Sequence, residues 1–372
     1  MADNVRMTSQ RADEILMQRA LTLAGQALYI TSPNPRVGCV IADPQGRVLG
    51  EGHTQTAGQA HAEIMALKAA QQQGHSIKGA TAYVTLEPCS HQGRTGPCCE
   101  ALAQAGLARV VVAVQDPNPL VSGAGITHLR AQGLQVDVGL LANEAIELNV
   151  GFFQRMTLGR PWVRMKIAAS LDGQTALPNG VSQWITGEAA RADGHAWRAR
   201  ACAVLTGHGT VIEDNPLLDV RAVATPRQPT LVLVDSRFET PSDARLWQPN
   251  RAVWVYGAQD DAKAMNRLKQ LKADLRCLPD PNGKVDLHGM LSDLGQRGIN
   301  ELHVEAGHKL NGSLLKTGLV DELLIYLAPK MLGAGRGMAH LGPWDHLGQA
   351  LGFQWTDCQR VGADLRLLAR KV

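Results

Sequence analysis

The chain has 372 residues, 45% of them hydrophobic and 19% charged, and carries a formal net charge of +3. This composition is typical of a globular protein, and the length favours two domains over a single core. The small net charge gives no indication of a nucleic-acid partner, and no apolar run reaches the length of a membrane span.

The amino terminus and the cysteines indicate a cytoplasmic protein. The first twenty residues are polar and lack the apolar core of a signal peptide. The seven cysteines are an odd number at scattered positions, which does not favour a disulfide framework. A reducing cytoplasm is therefore the expected compartment.

The first half of the chain predicts a sheet with helices on its faces. Apolar residues at helical spacing over 11–29 precede the strand VGCVIAD, the turn PQG and the returning strand RVLGEG. The segment HAEIMALKAAQQQG predicts a helix that ends at Gly74, and ATAYVTL predicts a strand. PCCEALAQAG predicts a second helix with Pro97 in its first turn, followed by the strand RVVVAV. This order favours a parallel or mixed sheet.

The pattern restarts after the segment 159–161, so we expect two domains, residues 1–158 and 159–372. WVRMKIAAS predicts a strand, GEAARADGHAWRARA a helix and CAVLTG the next strand. Further strands are predicted for TLVLVDS, AVWVYG, LHVEAG and DELLIYLAP. Both domains are therefore predicted to be α/β.

A histidine, a glutamate and two cysteines, each cysteine preceded by proline, predict a metal site in the first domain. His61 and Cys98 each open a predicted helix, and Cys89 follows a strand, so all three lie at one edge of the sheet. Zinc suits these ligands, and three protein ligands leave a fourth position for water. Glu63 can take a proton from that water and deliver it to a leaving amine. The H-x-E…P-C…C pattern is typical of zinc deaminases that act on nucleobases.

The spacing of the cysteines leaves one alternative for the third ligand. Eight residues separate Cys89 from Cys98, where the common pattern has two. Cys99 competes, but Cys98 repeats the Pro-Cys pair and lies in the first turn of its helix. Buried core thiols and a helix-capping histidine would also explain each residue taken singly.

Segments along nearly the whole chain resemble the bifunctional deaminase–reductases of riboflavin biosynthesis. The matching segments are TSPNPRVGCVIAD, HAEIMAL, TLEPCSHQGRTGPC, VQDPNPLVSGAG, MKIAASLDGQTA, SQWIT, LTGHGTVIEDNPLLDVR, VEAGHKLNGSLL and DELLIYLAPKMLG. The resemblance implies a cytidine-deaminase-like three-layer domain followed by a dihydrofolate-reductase-like domain. It also implies Zn²⁺-dependent loss of the 2-amino group from a diamino-pyrimidinone carrying a ribosylamino 5′-phosphate. NADPH would then reduce the ribosyl chain to ribityl.

The resemblance also implies residue roles in the deaminase domain. The zinc ligands would be His61, Cys89 and Cys98, with Glu63 as proton shuttle. Substrate contacts would fall on Asn34, His53, His91, Arg94 and Asn118. An asparagine can bind amide-like ring edges, and an arginine can hold a phosphate as a fork. The two asparagines also stand in Pro-Asn-Pro, a common turn, and Arg94 is equally consistent with a solvated side chain.

The residues alone identify the reductase cofactor site less clearly. No G-x-G-x-x-G follows a strand, so a Rossmann site is not supported. VEAGHKLNGSLL predicts a helix start that can hold a pyrophosphate, although an ordinary turn explains it as well. The resemblance implies cofactor contacts at Ala168, Trp184, Thr186, Thr210, Asp214, Ser236, Gly307, Leu310 and Asn311. Ser236 and Arg237 are candidates for the 2′-phosphate, and core packing also explains Trp184.

The resemblance places reductase catalysis on Lys166 and Asp214. Substrate contacts would fall on Ser182, Arg198, Leu218, Arg221 and Glu305. A lone lysine within a strand is costly unless it faces a cleft, where it can polarise or protonate the sugar oxygen. Arg198 and Arg221 suit the 5′-phosphate, although a solvated helix face and a strand-end charge explain them too.

Two residues depart from the family pattern. Gly96 stands where the family usually has proline, and Asp219 stands where threonine is common. An acid beside Arg221 would weaken the binding of a phosphate if it pointed inward.

Two other functions are weighed against the bifunctional enzyme. The chain could be a nucleoside or tRNA base deaminase whose C-terminal half is not catalytic, although the small net charge argues against tRNA. It could also be a zinc-stabilised binding module, but a structural zinc has four protein ligands and needs no Glu63. The expected partner is a small pyrimidine ribose phosphate, without nucleic acid or membrane. The resemblance implies a homodimer through the reductase domain.

Overall fold

The computed structural model describes residues 2–90 and 96–372, with the side chains described from residue 10 onward. The chain forms two compact units, Met1–Leu158 and Gly159–Val372. No helix among the described residues is long and apolar enough to cross a membrane.

The first unit is a five-stranded sheet with helices on both faces. Its strands lie in the order β2-β1-β3-β4-β5, with β1 antiparallel to β2 and β3, and the remaining pairs parallel. The elements are α1 (Ala2–Gln26), β1 (Gly38–Ala42), β2 (Val48–His53), α2 (Ala62–Gln72), β3 (Thr81–Val84), α3 (Cys98–Gln104), β4 (Arg109–Val112), α4 (Ala124–Ala131), β5 (Gln135–Val138), α5 (Ala142–Leu148) and α6 (Val150–Leu158). The mixed sheet is confirmed, but the helix predicted over 11–29 begins and ends earlier.

Two cores cover the two faces of this sheet. Along β1, Cys39 and Ile41 pack into one core, whereas Val40 and Ala42 pack into the other with α1. Each fully buried aliphatic side chain of this size contributes about 1.5–3 kcal/mol. A Cβ at Gly38 would lie 1.8 Å from the carbonyl oxygen of Ala20, so α1 can approach the sheet because this residue is glycine. The result is a three-layer unit, as the family resemblance implied.

The second unit is built on a nine-stranded sheet. Its order is β11-β10-β9-β8-β12-β6-β13-β16-β15, and β7 pairs with β14 in a separate short ladder. The elements are β6 (Trp162–Ser170), β7 (Gln174–Ala176), α7 (Glu188–Arg200), β8 (Ala203–Gly207), α8 (His208–Asp214), β9 (Thr230–Val234), β10 (Val253–Gly257), α9 (Ala262–Gln270), β11 (Asp274–Cys277), α10 (Leu287–Gln296), β12 (Glu301–Val304), α11 (His308–Lys316), β13 (Glu322–Ala328), β14 (Arg336–Gly337), β15 (Phe353–Val361) and β16 (Asp364–Lys371).

Some of these strands had not been predicted. The ladder of β7 and β14 is two or three residues long on each side, and β15 is a largely exposed edge strand with many polar residues. Short or exposed strands lack the apolar run that identified β6, β8 and β9. The α/β class of this unit is nevertheless confirmed.

A crevice is expected between β8 and β12, which are adjacent parallel strands. Helix α8 leaves β8 toward β9 on one side, and α11 leaves β12 toward β13 on the other. Where the connections of neighbouring parallel strands diverge in this way, α/β proteins bind their ligands at the carboxyl ends of the strands.

Candidate active sites

Three side chains of the first unit converge in a cluster with zinc-binding chemistry. His61 caps α2, Cys89 follows β3, and Cys98 is the first residue of α3. The ligand atoms of all three lie within 4.8 Å of one another. His61 Nδ1 lies 3.6 Å from Cys89 Sγ and 3.3 Å from Cys98 Sγ. A tetrahedral zinc site separates its nitrogen and sulfur ligands by about 3.6 Å, so the donor set fits zinc.

The sheet register explains why these residues meet. Cys39 of β1 pairs with Val84 of β3, and Val84 pairs in turn with Val112 of β4. The end of β3, the start of β1 and the end of β4 therefore share one edge of the sheet. The starts of α2 and α3 face the same edge, because each helix follows a strand that ends there.

The thiols show that the cluster suits a cation. Contact with the Cys98 thiol lowers the pKa of Cys89, and contact with Cys89 raises the pKa of Cys98. Two thiolates side by side repel each other, so ionising both thiols needs a positive charge beside them. A divalent cation supplies that charge, which favours zinc over an unmetallated pair.

Glu63 lies beside this cluster and is 3% exposed. Burial raises its pKa to about 7, and its carboxyl group interacts with the Cys98 thiol. A carboxyl group with a pKa near the working pH can both accept and donate a proton.

Cys99 belongs to the hydrophobic core and not to the cluster. Its side chain is 2% exposed and packs with Leu102 and Val84. Burial raises its pKa, which favours the neutral thiol over a thiolate ligand. The geometry therefore favours Cys98 as the third ligand.

Glu87 is a residue of this site that sequence reasoning missed. Its buried carboxylate accepts hydrogen bonds from the backbone N–H groups of Asp116, Gly123, Gly125 and Ile126. It therefore ties the segment that carries Cys89 to the segment between β4 and α4. In the sequence, only its position in TLEPC, two residues before Cys89, pointed to a role at this site. A glutamate at that position does not by itself predict which groups it binds.

Three of the predicted deaminase contacts lie at the same sheet edge. Asn34 precedes β1, His53 ends β2, and Asn118 follows β4. The Asn118 side chain already accepts a hydrogen bond from Leu120 N at 3.1 Å, as its turn requires. His91 and Arg94 lie outside the described residues.

In the second unit, a cavity of about 700 Å³ opens at the carboxyl ends of β6, β8 and β12. Most of the reductase residues implied by the resemblance line it: Lys166, Ala168, Ser182, Trp184, Thr186, Arg198, Thr210, Asp214, Leu218, Arg221, Glu305, Gly307 and Asn311. Their ligand-binding roles remain predictions, but the fold brings them to one place.

Lys166, Glu305 and Arg198 form the charged centre of this cavity. The Lys166 ammonium lies 3.6 Å from Glu305 Oε2, and Arg198 binds both oxygens of the same carboxylate. Burial opposes ionisation of Glu305, but Arg198 and Lys166 hold its pKa well below the usual range. Burial lowers the pKa of Lys166, which makes it a better proton donor than an exposed lysine.

Two histidines beside this centre were not predicted. His303 is fully buried on β12, with Nε2 3.3 Å from Glu305 Oε1. His195 lies on α7 in the cavity wall, and Arg221 N donates to its Nδ1. Burial lowers the pKa of both rings, to about 4 for His195, so both are neutral at pH 7.

The departure at Asp219 has a structural consequence. Its carboxylate binds the guanidinium of Arg221, and its carbonyl oxygen accepts a hydrogen bond from Arg198. Arg198 is therefore fully engaged with protein groups, and the solvated helix face considered for it is wrong. Arg221 remains 55% exposed and is the more accessible cation for a phosphate.

Asp214 and Trp184 lie on the wall of the same cavity. Asp214 Oδ1 accepts a hydrogen bond from Ser182 Oγ at 3.1 Å, and burial raises the pKa of Asp214. Trp184 is 63% exposed, with the Arg191 guanidinium 4.6 Å from its ring centre. Core packing is therefore the wrong explanation for Trp184.

A second cavity of about 600 Å³ adjoins the first, and Ser236 and Leu310 line it together with Arg237. Two of the buried polar atoms that lack a hydrogen-bond partner within the described residues belong to residues lining these cavities: Thr210 Oγ1, whose residue lines both cavities, and Asn311 Oδ1, whose residue lines the first. A ligand bound there can supply the missing hydrogen bonds. The two cavities together fit a dinucleotide such as NADPH.

Comparison with known proteins assigns both units. The model of the RibD C-terminal domain matches residues 161–367, and that of the cytidine and deoxycytidylate deaminase zinc-binding region matches residues 10–114. Riboflavin biosynthesis protein RibD of Escherichia coli is 43% identical over 95% of this chain and 98% of its own. The counterpart from Aquifex aeolicus is 41% identical over 96% of this chain and 98% of its own.

Two solved structures agree with this assignment. Acinetobacter baumannii RibD is 40% identical, covers 98% of this chain and 99% of its own, and superposes with a TM-score of 0.89. A diaminohydroxyphosphoribosylaminopyrimidine deaminase/5-amino-6-(5-phosphoribosylamino)uracil reductase from Thermotoga maritima is 31% identical over 98% of this chain and all of its own. Its TM-score is 0.88.

These matches confirm the predicted fold, with a cytidine-deaminase-like unit and a dihydrofolate-reductase-like unit. They confirm both enzyme activities, with zinc and NADPH as cofactors. A base deaminase with a non-catalytic C-terminal half is not supported, because the reductase family matches that half. The chain belongs to the RibD family, the bifunctional deaminases and reductases of riboflavin biosynthesis.

Proposed function

We propose that residues 1–158 deaminate a diamino-pyrimidinone carrying a ribosylamino 5′-phosphate, and that residues 159–372 then reduce its ribosyl chain to ribityl. One observation carries the deaminase part of the proposal: an imidazole and two thiols lie within 4.8 Å of one another, with a buried carboxyl group beside them. A structural zinc site has no need of such a carboxyl group.

In the deaminase, His61, Cys89 and Cys98 would hold zinc, with the two thiolates balancing its charge. The zinc would make water nucleophilic at neutral pH. Glu63 would accept a proton from the attacking water and donate it to the leaving amine, a role that suits its pKa of about 7. Glu87 acts through Cys89 by holding the loop that carries it.

In the reductase, bound NADPH would supply the hydride, and the residues of the cavity would align it with the sugar. Lys166 donates a proton to the ring oxygen as the ribosyl ring opens. Glu305 holds the ammonium in place and is itself fixed by both nitrogens of the Arg198 fork. Arg221 meets the 5′-phosphate, because Arg198 is engaged by Glu305 and by the carbonyl oxygen of Asp219.

The test compares Glu63→Gln with the wild-type enzyme. We expect the variant to keep its zinc and to lose ammonia release by about 10²–10⁴-fold, since a general acid–base group contributes on this scale. NADPH oxidation with the already deaminated compound should be unchanged. The matched control is Glu144→Gln on the exposed first turn of α5. Loss of both activities in a folded Glu63→Gln protein would contradict two separate sites.

We further propose that the enzyme is a cytoplasmic homodimer. All seven cysteines are unpaired thiols, as expected in a reducing compartment. The exposed edge strand β15 in the reductase unit carries Trp355 at 61% exposure, and such an edge favours pairing with a second copy. Light scattering on the purified enzyme measures the mass, and a monomer at all concentrations would contradict the dimer.

A further inference from the structure

The two cavities of the reductase unit adjoin, because both are lined by Thr210, Glu213, Gly307, His308 and Arg336. The larger cavity carries the charged centre at which reduction is proposed. The smaller one carries Ser236 and Arg237, the candidates for the 2′-phosphate. A dinucleotide with its nicotinamide in the first and its adenosine in the second must pass its two linking phosphates through this junction.

The structure holds Arg336 firmly at the junction. The carbonyl oxygen of Arg336 accepts a hydrogen bond from Thr175 Oγ1 at 3.1 Å. Arg336 also pairs with Ala176 in the antiparallel ladder of β7 and β14. A Cβ at Gly335 would lie 2.4 Å from the carbonyl oxygen of Ala176, so the close approach depends on this glycine.

The segment after Arg336 is tied to the start of α11. Asn311 Nδ2 donates to the carbonyl oxygen of Met338 at 3.1 Å, and His340 N donates to that of His308 at 2.8 Å. Arg336 is therefore fixed relative to the first turn of a nine-residue helix whose leading N–H groups have no partner within the helix.

The guanidinium is placed to receive an anion. Nη1 lies 2.6 Å from Glu213 Oε2 on α8, and the side chain remains 31% exposed. Glu213 is itself 51% exposed, so this ion pair contributes little to stability and can exchange its partner. The remaining N–H groups of an arginine guanidinium can donate to two phosphate oxygens at once.

We infer that Arg336 is a cofactor-binding residue that holds the two phosphates linking the nucleosides of NADPH. This inference rests on the proposed placement of NADPH across the two cavities. In the free enzyme the Glu213 carboxylate is paired with the guanidinium of Arg336. The pyrophosphate of bound NADPH displaces this carboxylate. Arg336 and the start of α11 then bind the same anion from two sides.

The experiment measures direct binding of three reduced nucleotides by calorimetric titration. NADPH and NADH share the linking pyrophosphate, whereas reduced nicotinamide mononucleotide has a single phosphate. We expect Arg336→Met to weaken NADPH and NADH equally, by about tenfold to a hundredfold, and to leave the mononucleotide nearly unchanged. Arg336→Lys should restore part of the loss, and Glu213→Gln should tighten NADPH binding. A far-UV circular dichroism spectrum and a thermal melting curve that match those of the wild type show that the reductase unit of each variant is folded.

Arg237→Met is the matched control, since it should weaken NADPH and spare NADH. Loss of NADPH but not NADH binding in Arg336→Met would overturn the inference, because the contact would then be with the 2′-phosphate. Unchanged binding of all three nucleotides would also overturn it. If the wild-type enzyme bound none of the three nucleotides, the proposed reductase function would be contradicted, and the inference that rests on it would fall too.

Discussion

The zinc cluster and the reductase cavity differ in how their residues are gathered. The cluster takes His61, Cys89 and Cys98 from two helix starts and one loop at a single sheet edge. The cavity takes its residues from β6, α7, α8, the segment after β12 and α11, spread over much of the second unit. Metal chemistry needs a few ligands at fixed spacing, whereas hydride transfer needs many groups that align two ligands. The first therefore leaves a local pattern in the sequence and the second does not.

The largest effect expected on the zinc side separates two adjacent cysteines. Cys98→Ser should lose zinc, and ammonia release should fall to background, because the ligand set is reduced to two. Cys99→Ser should keep both, since Cys99 packs in the core. Metal analysis and an ammonia assay check this, and zinc loss in the Cys99 variant would contradict the ligand assignment.

The matching change on the reductase side is Lys166→Met. We expect NADPH oxidation to fall by about 10²–10⁴-fold while ammonia release is unchanged, because a proton donor contributes on this scale. The control is Lys316→Met on the exposed last turn of α11, which removes the same charge away from the cavity. A Lys166 variant that reduces the substrate at the wild-type rate would remove Lys166 from the chemistry.

A smaller effect on the deaminase is expected from Glu87→Gln, because Glu87 acts only by holding the loop that carries Cys89. In the wild type, backbone N–H groups donate to both oxygens of the Glu87 carboxylate. The glutamine side chain would replace one of these acceptor oxygens by an NH₂ group, which cannot accept their hydrogen bonds. We expect about a 10–100-fold loss of zinc affinity or deamination, with NADPH oxidation unchanged. Titration with a zinc chelator measures the affinity. Wild-type zinc affinity and ammonia release in this variant would show that the clamp does not position Cys89.

The smallest expected effect concerns the phosphate end of the reductase cavity. Asp219→Asn removes the carboxylate that binds Arg221, so KM for the phosphorylated substrate should fall by about two- to tenfold. The same variant should show no such gain with a dephosphorylated substrate. An equal change with both substrates would place Arg221 away from the phosphate.

The sequence was sufficient where chemistry follows local spacing. It predicted that His61, Cys89 and Cys98 lie together, as they do. The cost of burying a lone lysine in a strand predicted that Lys166 faces a cleft, and it lines the cavity. It did not locate His303 or Arg336. His303 contacts Glu305 only two residues along the chain, but the other partners of that carboxylate, Lys166 and Arg198, come from segments far apart in the sequence. Arg336 reaches the cofactor cavities through β14, too short to leave a periodic pattern.

If the two units carry separately acting sites, two variants that are each inactive at a different site should complement each other when they are mixed. Glu63→Gln keeps the reductase site and Lys166→Met keeps the deaminase site, so neither should complete the conversion by itself. We predict that the mixture converts the diamino-pyrimidinone phosphate to the ribityl product, with equal amounts of ammonia released and NADPH oxidised. A mixture as inactive as its components would show that the two sites do not act separately.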